Sequence, residues 1–241
     1  MIDIHSHIIY DIDDGARTLE EAVRLVRLDA RQGVTDIFST SHYSVSHPTS
    51  KREIFSKLGE IREKLDIRGI QVQLHPGHEV LYFDSMPEHL RKGKILTLAG
   101  SAYVLVEFYP TDAYQRFLSA VRQIRRCGYL PIIAHAERFP ALRKHGLSEI
   151  LEEGAYIQVS TEPLSFTGLR GMMNEECRFI KEALKKEQAH FFGSDMHRLH
   201  TRPPVVQEAI EWANRHLSRD YAAAVLYENA ECILEDREID I

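Results

Sequence analysis

The 241-residue chain has little cysteine, no excess of positive charge and no long apolar run. Its three cysteines, Cys127, Cys177 and Cys232, are odd in number and widely spaced. They make no CxxC pair and suggest no disulfide framework, so a reducing cytoplasm is expected. No stretch approaches the roughly 18 apolar residues of a membrane span. The opening Met-Ile-Asp-Ile-His has neither the basic region nor the apolar run of a signal peptide. Net charge is −6 and there is no basic stripe, which weighs against a nucleic-acid platform. Neither GxGxxG nor GxxxxGK[ST] occurs, so the phosphate loop that would favour an open doubly wound sheet is missing. Repeats, low-complexity linkers and composition breaks are absent too, and one domain over residues 1–241 is expected.

What the chain does have is alternation. Apolar residues make up 44%, enough for a sizeable core. Short apolar runs at Ile2–Ile4, Thr35–Ser39, Gln71–His75, Tyr103–Val106, Leu130–Ile133, Tyr156–Val159 and His190–Phe192 read as strands. Helical segments separate them. Thr18 with Glu21 and Ser50 with Glu53 have the spacing of capping boxes, and Gly33 closes the first helix. Ile54, Leu58, Ile61 and Leu65 follow the helical period. Further helices are expected over Ala113–Cys127, Leu147–Glu153, Asn174–Lys186 and Pro204–Leu217, with Pro203 and Pro204 at a helix start and one or two more in Ser218–Glu235. Seven strands alternating with helices predict an α/β fold, a distorted (β/α)7 TIM-like barrel, with the open sheet as the structural alternative.

The chemistry lies where the strands end. The first strand leads to His5-Ser6-His7, the second to His42, the third to His78-Glu79 and the fourth to Glu107. The fifth leads to His135 and the last to Asp195-Met196-His197. Residues two apart on an extended segment point to the same side. His5 with His7, and Asp195 with His197, therefore aim in pairs. In a parallel barrel all these ends meet at one face, where active sites form. One histidine after a strand is usually a loop residue. Besides His78, five imidazoles and several carboxylates at six strand ends would repel or be desolvated unless something paired them, and metal ions do so. From the acidic turn Asp11-Ile12-Asp13-Asp14-Gly15, Asp14 is chosen as a further carboxylate ligand. His78 and His200 stand beside site residues and are candidates for substrate contact. Arg138 and Arg202 lie close to the His135 and His197 motifs, and arginine suits fork-like binding of phosphate oxygens.

These motifs resemble the PHP (polymerase and histidinol phosphatase) superfamily, of metallo-dependent hydrolase type. More narrowly they resemble its CpsB/CapC branch of bacterial manganese-dependent protein-tyrosine phosphatases. The likeness rests on Met1-Ile-Asp-Ile-His-Ser-His-Ile8 with Ile12-Asp-Asp-Gly15, Thr40-Ser-His42, Gly77-x-Glu79 and Val106-Glu-Phe108. His135-Ala-Glu-Arg138, Ser194-Asp-Met-His197, Arg202-Pro-Pro204 and Glu228-Asn229 extend it over essentially the whole chain. The chain departs from the family pattern at His78, at Ala136 and over Ser160–Gly171.

The resemblance implies three metal ions, with Mn²⁺ the expected metal and Fe, Zn or Mg suited to individual sites. One ion would be held by His5, His7, Glu79 and Asp195. A second would use Glu79, Glu107 and His135, with Glu79 bridging. A third would use Asp14, His42 and His197. Asp195, Arg138 and Arg202 are the expected catalytic residues. A metal-bridging hydroxide is expected to attack phosphorus in line with the leaving oxygen. The substrate implied is the phosphotyrosine-rich tail of a bacterial tyrosine kinase that regulates capsule or exopolysaccharide synthesis. Neither nucleic acid nor a membrane span is expected. A cysteine mechanism is excluded, because the positions six after each cysteine hold Ile133, Ala183 and Glu238, not arginine. Three alternatives stay open at this point. They are a small phosphomonoester such as histidinol phosphate, a nuclease or phosphodiesterase of the same superfamily, and a non-catalytic metal-binding module.

Overall fold

All seven apolar runs form strands, each paired in parallel with its sequence neighbour. The structure is a computed structural model and describes residues 1–239. The strands are β1 (Ile2–Ser6), β2 (Asp36–Tyr43), β3 (Gln73–Leu81), β4 (Tyr103–Glu107), β5 (Leu130–Ile133), β6 (Tyr156–Ser160) and β7 (Phe191–Gly193). Between them run the helices α1 (Leu19–Arg31), α2 (Lys51–Ile67), α3 (Met86–Arg91), α4 (Tyr114–Arg126), α5 (Pro140–His145), α6 (Ser148–Glu152), α7 (Gly168–Met173) and α8 (Glu175–Lys185). After β7 come α9 (Gln207–His216), α10 (Arg219–Ala223) and α11 (Asn229–Leu234).

Just past β7 the chain returns to β1. Asp195 N–H donates to His5 O (2.8 Å), His7 N–H donates to Met196 O (2.9 Å), and Ser6 bridges Met196 in parallel. A strand order of one to seven that then meets its own start is the distorted (β/α)7 barrel expected.

Side-chain alternation sorts each strand into an outward and an inward set. The outward set packs under the helices, where α1, α4 and α8 bury apolar stripes. The inward set begins apolar, with Phe38, Leu105, Ile132, Tyr156 and Phe191 in one cluster. One or two positions further along the same faces the residues turn polar: His42 on β2, Glu107 on β4, Gln158 on β6. The barrel is thus apolar at its base and polar at its mouth.

Thr18 and Ser50 cap α1 and α2 as expected, each accepting the N–H three residues on. Other expectations change. Strands β2 and β3 run on to Tyr43 and Leu81, so His42 and Glu79 sit within paired strand, opposite one another in register. Pro203 and Pro204 precede α9 rather than open it. The helix starts at Gln207 because Gln32 Oε1, at the C-terminal cap of α1, accepts the N–H groups of Val206 (2.9 Å) and Gln207 (3.2 Å). The tail is a single helical run in which a π-helical turn, Ala224–Glu228, joins α10 to α11. It is tied to the strand edge by Tyr221 Oη donating to Ala189 O (2.6 Å) and Asn229 Nδ2 donating to His190 O (2.9 Å). Ser160–Gly171 forms a 3₁₀ turn at Glu162–Ser165 and then enters α7.

Gly193 marks where β7 passes β1 most closely. A Cβ there would stand 2.6 Å from His5 Cβ and 2.8 Å from Gln158 Nε2. Gly193→Ala is expected to lower unfolding free energy by roughly 1–3 kcal/mol, the usual cost of overpacking. An unchanged denaturant midpoint would show that the seam has slack.

Candidate metal centre

Glu79 is the middle of the polar mouth. Its carboxylate is buried, and Oε2 lies 3.3 Å from His5 Nε2, 3.3 Å from His7 Nε2 and 3.1 Å from His42 Nδ1. Its other oxygen, Oε1, is 2.8 Å from His135 Nε2. Asp195 faces the same pair of rings from β7, with Oδ1 at 3.4 Å from His5 Nε2 and 3.5 Å from His7 Nε2. Glu107 reaches His135 Nε2 at 3.5 Å and His42 Nδ1 at 3.8 Å. Asp14 Oδ1 is 3.4 Å from both His42 Nε2 and His197 Nε2. All nine residues therefore meet at the barrel mouth, as four overlapping donor groups: His7, Asp14, His42 and His197; His5, His135 and Asp195; His5, His7 and Glu79; and His42, Glu79 and Glu107.

The outward nitrogens of the rings decide what the inward ones offer. His5 Nδ1 is 3.1 Å from Gln158 Oε1, His7 Nδ1 is 3.0 Å from Asp13 Oδ2, and His197 Nδ1 is 2.9 Å from the Asp195 carbonyl. These acceptors fix the Nδ1–H tautomer and leave each Nε2 with a lone pair. In the neutral rings His5 Nε2 and His7 Nε2 would then confront each other at 3.2 Å beside two carboxylate oxygens; against burial, Glu79 and Asp195 raise the pKa of His5 and Asp13 raises that of His7, so positive charge is drawn to this point. Four lone pairs aimed at one point repel unless a cation occupies it. Donors about 2.1 Å from such an ion stand roughly 3.0–3.4 Å apart, close to the spacing found here. Imidazole with carboxylate is also the donor mixture that divalent first-row metals accept.

Charge follows the same pattern. Burial opposes ionisation of Glu79, yet His5, His135 and His42 hold its carboxyl well below the usual range. Burial likewise opposes the charge of Asp13, but the His7 ring and the Gly15 N–H hold it at about 2. Glu107 goes the other way. Burial and the neighbouring Glu79 push it up to about 7. Burial works against a charged His42, but Asp14 and Glu79 outweigh it and push the ring up to about 10.

Both arginines border this group. Arg138 Nη2 is 2.6 Å and Arg202 Nη1 3.2 Å from Asp195 Oδ2. Asp195 thus turns one oxygen to the imidazoles and the other to the guanidiniums. His135 and Asp195 both have left-handed backbone, with φ of 30° and 51°. Such strain in residues with a Cβ gathers at functional sites.

Two partners of the ligands were not singled out in the sequence. Gln158 lies mid-strand in β6. Its Oε1 also accepts the His135 N–H at 2.7 Å, so one oxygen steadies both His5 and His135. Its signal is a polar residue in a strand buried throughout. Asp13 holds His7 and also accepts the His42 N–H at 3.1 Å. It sits in the acidic turn, one residue before the aspartate chosen there.

His78 is not placed for substrate contact. It is fully buried, its Nδ1 accepts the Leu96 N–H at 2.9 Å, and its ring stacks on Tyr43. Alternation along β3 turns it away from the Glu79 side. His200 is exposed in the turn after His197. A cavity of about 690 Å³ lined by Phe166, Met172, Arg178, Trp212 and Arg215 includes none of the nine residues. Donor geometry, not cavity size, locates the chemistry here.

A model of capsular polysaccharide synthesis proteins, CpsB/CapC, matches residues 1–235. The tyrosine-protein phosphatase CpsB of Streptococcus agalactiae is 34% identical over 245 residues, covering 99% of this chain and all of that protein. The tyrosine-protein phosphatase YwqE of Bacillus subtilis is 30% identical, covering 99% of this chain and 93% of that protein. A crystal structure from a study of YwqE of B. subtilis and CpsB of Streptococcus pneumoniae, described there as metal-dependent tyrosine phosphatases, superposes with a TM-score of 0.90. It is 27% identical and covers all of this chain and 96% of that one.

Two outcomes follow from the geometry. Gln158→Leu removes the acceptor that orients His5, and is expected to weaken Mn²⁺ binding about 10–100-fold in chelator competition. Wild-type affinity would mean the His5 tautomer is set elsewhere. His78 supplies the second. Burial, with Lys51 nearby, lowers its pKa to about 3, against about 6.5 in the unfolded chain. The neutral ring thus contributes stability that is fully present above pH 6.5 and lost as pH falls through that value toward 3. His78→Gln keeps an acceptor without a titrating ring. Its stability should fall less steeply over that window in urea titrations, and an identical slope would contradict the assignment.

Proposed function

The chain belongs to the CpsB/CapC family, and on that premise we propose that it dephosphorylates phosphotyrosine on a protein tail through a three-ion centre. The chain is a metal-dependent tyrosine phosphatase of a family described by its part in capsular polysaccharide synthesis. The finer reading concerns which residues act, which metal they hold and what they act on. The observation that carries it is the convergence of His5 Nε2, His7 Nε2, Glu79 Oε2 and Asp195 Oδ1 on one buried point.

In this reading His5, His7, Glu79 and Asp195 hold one ion. Glu79, Glu107 and His135 hold a second, and Asp14, His42 and His197 a third. Mn²⁺ suits all three groups, and Fe, Zn or Mg suits individual ones. Bound ions supply Lewis acidity and make hydroxide available near neutral pH. The protein's own share is orientation and charge. Arg138 and Arg202 leave Asp195 Oδ2 to grip the non-bridging phosphate oxygens, where their planar donors match the phosphate. The tyrosine leaving group has a pKa near 10, so its departure needs less proton donation than an alkyl ester's.

No described helix is long and apolar enough to cross a membrane. We take the chain to be one catalytic domain of the cytoplasm, acting on the tyrosine-rich tail of a bacterial kinase that governs capsule or exopolysaccharide assembly.

The test is Mn²⁺-dependent hydrolysis of phosphotyrosyl peptides against histidinol phosphate. His5→Ala should lower kcat/KM by more than about 100-fold, beyond the range of outer partners. Arg138→Ala should lower it about 10–100-fold, the worth of a charge-assisted hydrogen bond. Preference for histidinol phosphate would move the substrate to a small phosphomonoester. Full activity in His5→Ala would overturn the ligand assignment, and full activity in Arg138→Ala the phosphate clamp.

A further inference from the structure

Asp3 lies beneath the centre, on β1, and is fully buried. A carboxyl in such a place needs hydrogen-bond partners, and it has three. Its Oδ1 accepts the Ser194 N–H at 2.8 Å and the His5 N–H at 3.2 Å. Its Oδ2 accepts the Ser194 hydroxyl at 2.6 Å, a short charge-assisted bond. That hydroxyl oxygen in turn accepts the Met196 N–H at 3.2 Å. The chain of bonds runs from β1 across to the backbone on both sides of Asp195.

The location explains why a side chain does this work. β7 ends at Gly193, and β1 meets the chain beyond it through an isolated bridge of Ser6 with Met196. Regular ladder pairing across the seam is therefore short, while Asp195 must hold a left-handed backbone against His5 and His7. A second carboxyl, Asp29 of α1, is buried nearby and makes no hydrogen bond of its own. Burial and the adjoining Asp3 raise its pKa well above the usual range.

We propose that Asp3 is a positioning residue for the metal centre: through Ser194 it sets Asp195 against His5 and His7. It touches neither substrate nor the inward-facing donor atoms. This inference rests on the ligand assignment proposed above for His5, His7, Glu79 and Asp195.

The test measures Mn²⁺ affinity of the full-length protein by chelator competition, alongside kcat and KM for a phosphotyrosyl peptide. Asp3→Ala is expected to weaken Mn²⁺ binding about 10–100-fold, the range seen for outer partners of metal ligands. Its kcat should recover in excess Mn²⁺ with KM little changed. Ser194→Ala should shift affinity the same way by less. Asp3→Asn, whose amide oxygen still accepts both N–H groups, should restore most of it. Wild-type affinity in both Asp3→Ala and Ser194→Ala overturns the proposal, as does an Asp3→Asn no better than Asp3→Ala. If Asp3→Ala fails to fold, Ser194→Ala decides alone, and unchanged affinity there overturns it. His5→Ala separates the two readings. If it binds as much Mn²⁺ as wild type, the ligand assignment falls and takes this inference with it. If it loses Mn²⁺ while Asp3→Ala and Ser194→Ala do not, only the role of Asp3 falls.

Discussion

Burying like with like is the constraint on which this structure depends. Lone pairs of His5, His7, Glu79 and Asp195 are gathered away from water at one end of the barrel. Desolvating such groups costs several kcal/mol each unless opposite charge compensates. A hydrophobic core would never select that arrangement. It persists because the rings of His5, His7 and His197 are held from behind, by Gln158, by Asp13 and by the Asp195 carbonyl. A metal cofactor is the compensation that the donor chemistry and the family both support.

Barrel geometry makes the gathering feasible. Strands in order one to seven bring six separate stretches of sequence to the same rim. The inward column of each strand changes character within two or four residues, from Phe38 to His42, from Leu105 to Glu107, from Tyr156 to Gln158. The apolar lower layer gives the upper layer a rigid floor, and close packing there transmits little slack to the ligands. Asp195 divides its two oxygens between imidazoles and guanidiniums, which couples the proposed ion site to the proposed phosphate grip in a single side chain.

Much of this was legible in the sequence, for physical reasons. Strand runs such as Leu130–Ile133 are apolar on both faces, as parallel strands under helices must be. HxH and DxH at strand ends betray paired ligands because extended chain repeats every two residues. The nine expected ligands come together without exception. The residues behind them were silent. Gln158 and Asp3 look like ordinary polar residues until pairing shows what each one faces. The start of α9 has no local signature, because Gln32, which accepts its first N–H groups, lies just past α1, 174 positions from Val206. Six-residue helices such as α3, α5 and α7 are too short to display a period.

The seam between Asp3 and Ser194 joins residues 191 positions apart. Loops of that length close slowly, and contacts that require them form late. His5 and His7 leave the ribosome well before Asp195 and His197, which follow only after six further strands have been made. Half of the proposed first ligand group therefore waits, unpartnered, through most of synthesis. Metal capture by that group becomes a report of completed folding, and a chain cut short before its last strand would carry nearly all the barrel and no finished centre.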